Sequence, residues 1–170
     1  MKIKKYFFSK DIINIKISNL ELNSVILLDL LSKFRFENIG MLINDVPIDS
    51  KIFNVPNNNF KYMDIRHKKK SYDILCQINS IYLQKFLQRC FNDEINDFLL
   101  FNIKDLNSWE TLLKNFTRLS QVSIIKYGIS EFTIGVMGYE GIIDILMLKN
   151  IARKIMLNNL DNIKIKDSKK

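Results

Sequence analysis

The sequence predicts an α+β domain, one mainly antiparallel sheet with three to four helices packed on it. Three observations carry this. Segments with the period of two that marks a half-buried strand follow one another through the first eighty residues, without the strict β-α-β alternation of a doubly wound fold. Stretches with apolar residues at helical spacing are interspersed among them. The composition, 47% hydrophobic and 26% charged over 170 residues, is that of a globular chain and needs no disulfide or metal to complete its core. One domain is expected over 1–160, and 161–170 reads as a basic, mobile tail.

The first two segments read as strands joined by a tight turn at Ser9-Lys10-Asp11. In the second, Ile13, Ile15 and Ile17 alternate with Asn14 and Lys16. A helix is expected next: Ser18 and Glu21 have capping-box spacing, and Leu27, Leu30, Leu31 and Phe34 recur on one face. Ile39, Met41 and Ile43 alternate again, and Asp45-Val46-Pro47 is expected to end that strand, since proline lacks the ladder donor. A short strand near 51–55 would close at Pro56 to Asn59. Strands at 60–66 and 72–78 then flank the loop His67 to Ser71, with Tyr72, Ile74, Cys76 and Ile78 sharing a face.

A helix from about Ser80 carries Leu83, Phe86, Leu87 and Cys90 as its stripe, and a strand follows at 97–103. Asn107 and Glu110 form a cap-like pair ahead of Trp109, Leu112, Leu113 and Phe116. Two strands are expected at 121–127 and 131–137, joined through Gly128-Ile129-Ser130. The last helix is expected from Tyr139 to Leu157, with Leu148, Ile151, Ala152 and Ile155 at helical spacing.

The chain has 27 Ile, 21 Lys and 19 Asn against one Ala. That drift points to nucleotide-composition pressure, which inflates lysine without regard to function. The net charge of +8 is nevertheless uneven. Residues 1–70 carry 13 basic against 7 acidic side chains, 71–148 carry 6 against 9, and 149–170 carry 7 against 2. Excess positive charge at the ends and around one loop favours an anionic partner, nucleic acid or an acidic protein face. The plain alternative is a solvated lysine-rich surface. A cytoplasmic protein is expected: Tyr6-Phe7-Phe8 is shorter than the roughly 7–15 apolar residues of a signal sequence. No run reaches membrane-spanning length, and Cys76 and Cys90 are too few for a disulfide framework.

Catalytic chemistries find little support. A single histidine, His67, removes paired-histidine metal sites, and the spacing of His67, Cys76 and Cys90 matches no zinc pattern. Both cysteines sit among apolar residues and read as buried small hydrophobes. Gly135-Val136-Met137-Gly138-Tyr139-Glu140-Gly141 lies between an expected strand and an expected helix, the context of a phosphate cradle. Its spacing fits no nucleotide motif, however, and Glu140 and Asp144 would repel phosphate. Asp49-Ser50-Lys51, close after Asp45, has the D-x-K form of a metal-dependent nuclease, but such a triplet arises easily among 21 lysines. No metal or cofactor is expected.

The clearest surface feature is Arg66, His67, Lys68, Lys69 and Lys70 at a hairpin tip, flanked by Tyr62 and Tyr72. The tyrosines fall at strand spacing with apolar neighbours, so packing is expected of them rather than base stacking. The function expected is non-enzymatic protein binding through that loop. Its specific version is an immunity or antitoxin-type protein that occludes a toxin domain with an acidic face. No motif carries that version; it is an analogy of type. A basic nucleic-acid binder is the alternative, a metal-dependent nuclease the distant third, and no membrane is expected as a partner.

Overall fold

The structure, a computed structural model, describes residues 2–7, 9–18, 24–32, 34, 38–50, 60–92, 95, 97–138 and 140–152. Eight strands form one sheet: β1 (Lys2–Phe7), β2 (Ile12–Ser18), β3 (Ile39–Pro47), β4 (Phe60–His67), β5 (Ser71–Ile78), β6 (Asp97–Asn102), β7 (Phe132–Met137) and β8 (Ile142–Leu148). Their order is β1-β2-β8-β7-β6-β3-β5-β4, and each neighbouring pair is antiparallel. Between them lie α1 (Ser24–Ser32), α2 (Ser80–Asn92), α3 (Leu106–Lys114), a 3₁₀ turn (Phe116–Arg118) and α4 (Gln121–Lys126), and a further helix begins at 149. The architecture is α+β and dominated by the sheet. The expectation of three to four helices packed on a sheet understates how far the strands carry the fold.

Helices cover both faces of the sheet. On one face, Leu27, Leu30, Leu31 and Phe34 of the α1 region and Leu83, Phe86, Leu87 and Cys90 of α2 pack on Ile15, Met41, Ile43, Ile74, Cys76, Ile134 and Ile145. Every stripe residue read for these two segments is buried. The Phe60 and Phe86 rings meet edge to face at 5.4 Å, which pins α2 over the start of β4. On the opposite face, Trp109 and Leu112 of α3 and Ile124 of α4 pack on Leu42, Leu75 and Phe101. Covering both faces explains why Leu42 is as buried as its neighbours Met41 and Ile43, although the alternation suggested a single buried side.

Several expectations are corrected. Ser18 is the last residue of β2, paired with Lys2, so it does not cap α1; Glu21 lies outside the described residues. The strand at 39–43 does not end before Asp45. A bulge between Ile43 and Val46 carries β3 on to Pro47, with Asp45 at φ 55°, a left-handed backbone that aspartate tolerates better than most. Proline is accommodated because it falls at the strand end. The N-cap of α3 is Asp105, whose side chain accepts from the Ser108 N–H; the Asn107–Glu110 pair is not the cap. Leu113 is exposed and Phe116 has left the helix for the 3₁₀ turn.

The two largest corrections are changes of type. Residues 121–126 are helical, not extended. Ser120 and Ser123 cap the start reciprocally, and this local signal outweighs the strand propensity of Val122, Ile124 and Ile125. Conversely, 142–148 is strand β8, and the helix expected from Tyr139 starts only at 149. β8 lies between β2 and β7, and a strand covered on both faces shows a continuous apolar run, whose period does not separate strand from helix. The short strand expected near 51–55 and the tail 161–170 lie outside the described residues.

Candidate functional site

The basic loop forms the tip of the β4–β5 hairpin, where the Lys68 N–H donates to the Ser71 carbonyl at 2.9 Å. Lys68 itself turns inward. Its ammonium donates to Asp45 Oδ1 at 2.9 Å and to Asp73 Oδ1 at 2.7 Å. Asp73, largely buried, also accepts the Asp45 N–H at 3.0 Å, and the Ser71 hydroxyl donates to Asp45 Oδ1 at 3.2 Å. The tip is thus tied to the bulge of β3. Lys68, with the opposing effect of partial desolvation, holds the Asp45 carboxyl below its ordinary range. The two carboxylates, Asp73 foremost, hold the Lys68 ammonium above its own.

The five loop residues therefore divide. All five are exposed, but Lys68 is engaged by two carboxylates of the fold, whereas Arg66, His67, Lys69 and Lys70 are not, among the described residues. His67 lies edge-on against the Tyr72 ring at 4.9 Å, and Tyr72 packs against the core. Tyr62 stacks on Trp109 with centroids 5.3 Å apart and 26° between planes. Both tyrosines are packing residues, as their spacing suggested.

The catalytic readings lose their geometry. Cys76 and Cys90 are fully buried, and burial pushes the Cys76 thiol up to about 12, far from a thiolate nucleophile. Cys76 pairs with Met63, whereas His67 lies four residues further along β4, roughly 13 Å away at strand rise. Asp49 is exposed, Asp45 is engaged by Lys68, and Lys51 lies outside the described residues. Among the described residues, no group of three or more His, Cys, Asp or Glu is placed to hold a metal ion. The glycine run begins inside β7, and Gly138 and Gly141 lie in the turn that leads to β8. Gly141, at φ 60°, donates its N–H to the Gly138 carbonyl at 3.1 Å, a left-handed position suited to glycine. A strand follows it, so the helix N-terminus that a phosphate cradle requires is absent there.

One feature lay beyond the sequence reading. A cleft of about 170 Å³ opens beside the start of β4 and α3, lined by Asn38, Lys61, Tyr62, Gln77, Ile103, Lys104, Asp105 and Leu106. Its lining is gathered from distant parts of the chain. Its one sequence-level signal was Gln77, a polar residue within the otherwise apolar run Ile74 to Ile78.

No helix among the described residues is long and apolar enough to cross a membrane. No family model, curated protein or solved structure matches the chain.

Proposed function

We propose that this protein is a non-catalytic binding module of the cytoplasm that docks an acidic protein surface on the tip of its β4–β5 hairpin. The specific version is an immunity or antitoxin-type inhibitor, which neutralises a toxin domain by covering it. The observation that carries the reading is the exposed set Arg66, His67, Lys69 and Lys70 on a turn that Lys68 ties to Asp45 and Asp73. A loop tied down before binding loses less conformational entropy on docking, so more of its electrostatic attraction is realised as affinity. Steering by such charges acts mainly on the association rate.

The packing of Tyr62 on Trp109 and of Tyr72 into the core withholds the aromatic platform that a single-stranded nucleic-acid binder would offer beside the lysines. The test pairs affinity capture from the native source with a salt titration of the captured protein, DNA and RNA. Lys69 and Lys70 are changed together to alanine; Lys68 is spared because its loss would also release Asp73. An acidic protein should be captured, keep much of its affinity from low to physiological salt, and associate about tenfold more slowly with the variant. Tight DNA or RNA binding at physiological salt that vanishes in the same variant would replace this reading with the nucleic-acid one.

A further inference from the structure

We propose that the cleft beside β4 and α3 is a binding site for a single carboxylate, carried by a small organic acid or by an acidic side chain. Its floor is built from two tethered amides. Gln77, 6% exposed, donates from Nε2 to Asn38 Oδ1 at 2.9 Å. Asn38 is held in turn by its backbone: its N–H donates to Asn102 Oδ1 at 3.0 Å, and its carbonyl accepts the Ile103 N–H at 2.8 Å. A buried amide costs free energy unless paired. Here each amide satisfies part of the other and retains polar capacity beside the cleft, since a side-chain NH₂ has two donors and the Gln77–Asn38 bond uses one.

The rim supplies charge. Lys61 is the extra residue where the β4–β5 register shifts between Phe60 and Tyr62; bulges of this kind re-aim side chains and are common at working sites. Its ammonium rests 5.5 Å from the centre of the Tyr62 ring, a hold weak enough at an exposed position to be exchanged for a carboxylate. Lys104 borders the same cleft. Asp105 faces it too, but its carboxylate is engaged by the Ser108 N–H at 2.7 Å as the cap of α3.

Two lysines against one carboxylate leave one net positive charge. A carboxylate neutralises that, whereas a phosphate dianion overfills it. The volume, about 170 Å³, is below the roughly 300 Å³ at which pockets enclose drug-sized ligands. It suits a head group on a few carbons, with Ile103 and Leu106 as the apolar wall.

The single tryptophan reports on the site, because Trp109 stacks on the Tyr62 ring that lines it. Trp109 fluorescence is titrated at constant ionic strength with four probes: N-acetylglutamate amide, butyrate, the neutral N-acetylglutamine amide and inorganic phosphate. Both carboxylates should give a saturable change, with an apparent Kd on the order of 1–10 mM for a lone charged head group. A tighter response to the blocked glutamate points to a protein side chain, and a tighter response to butyrate to a free acid. K61Q/K104Q should weaken binding at least tenfold. The single variant K104Q, read by the side-chain amide resonances of Asn38 and Gln77, serves if the double variant does not fold. The hairpin tip lies at the far end of β4, so changing Lys69 and Lys70 to alanine should leave these titrations unaltered whatever becomes of the partner reading. Four results would overturn the site: an equal response to the neutral amide, tighter binding of phosphate, an unchanged Kd in a folded K61Q/K104Q, or no saturation by about 100 mM.

Discussion

Replacing Gly40 by alanine tests the packing logic at the centre of the fold. Gly40, in β3, faces Phe101 of β6 across the ladder. A Cβ at Gly40 would stand 2.3 Å from Phe101 Cε2 and 2.8 Å from both Cδ2 and Cζ. Carbon atoms rest at about 3.5 Å or more, so the ring would have to retreat by roughly 1.2 Å. Phe101 is fully buried and packed in one cluster with Leu42, Leu75, Trp109 and Leu112. It has nowhere to go. Overpacking of this kind costs about 1–3 kcal/mol and at times more, and the depth of overlap places Gly40→Ala at the upper end. The loss of glycine's unfolded-state freedom offsets only about 0.4–1 kcal/mol of it.

For a domain of this size each kcal/mol lowers the melting temperature by about 2–4 °C, so a fall of roughly 4–12 °C is expected by circular dichroism. A double-mutant cycle with Phe101→Leu isolates the cause. Once the smaller side chain makes room, the combined variant should be more stable than the sum of the single losses by about 1 kcal/mol or more. A Gly40→Ala protein that melts within about 1 °C of wild type, or a strictly additive cycle, would refute the reasoning.

The hairpin clamp has a predictable pH dependence. Asp45 titrates below its unfolded value, so its contribution is present above pH 3.8 and disappears as pH falls through the lower folded value. Lys68 titrates above its unfolded value, so its contribution is complete below pH 10.5 and disappears as pH rises through the higher folded value. The stability difference between wild type and Lys68→Met should therefore be flat between about pH 5 and pH 9 and shrink outside it. With the side chains of Lys68 and Asp45 39% and 72% exposed, the Asp45 limb should stay within about 1 kcal/mol and weaken in salt. A difference that grows on acidification would contradict the assignment. Neither Cys76 nor Cys90 should react with a thiol reagent at about pH 8 until the protein unfolds; rapid modification of the native protein would show that the core admits solvent at those positions.

Legibility in the sequence followed the physics of each segment. The α1 and α2 stripes could be read because those helices bury one side only, and a single buried side leaves a period of 3.6 in the residues. The β4–β5 hairpin was equally readable, since the charged run Arg66 to Lys70 marks its tip and Tyr72, Ile74, Cys76 and Ile78 keep one face of β5. At β8 the same reading failed because neighbours on both edges and both faces left Asp144 as the one polar residue from Ile142 to Leu148, too little to mark a period. At 121–126 it failed because a reciprocal serine cap decided the backbone where β-branched residues alone suggested a strand.

The basic tip was visible residue by residue, from Arg66 to Lys70. Its internal division was not, because Lys68 finds its carboxylates at Asp45 and Asp73, on two other strands. The cleft was out of reach for the same reason. Asn38, Lys61, Gln77 and Lys104 are scattered along the chain and meet only when β3 is flanked by β5 and β6. Local periodicity, capping and charge runs act over a few residues, and the amino-acid order records them directly. Which distant polar groups face one another depends on strand order and register, and those follow from how all the apolar faces are buried at once.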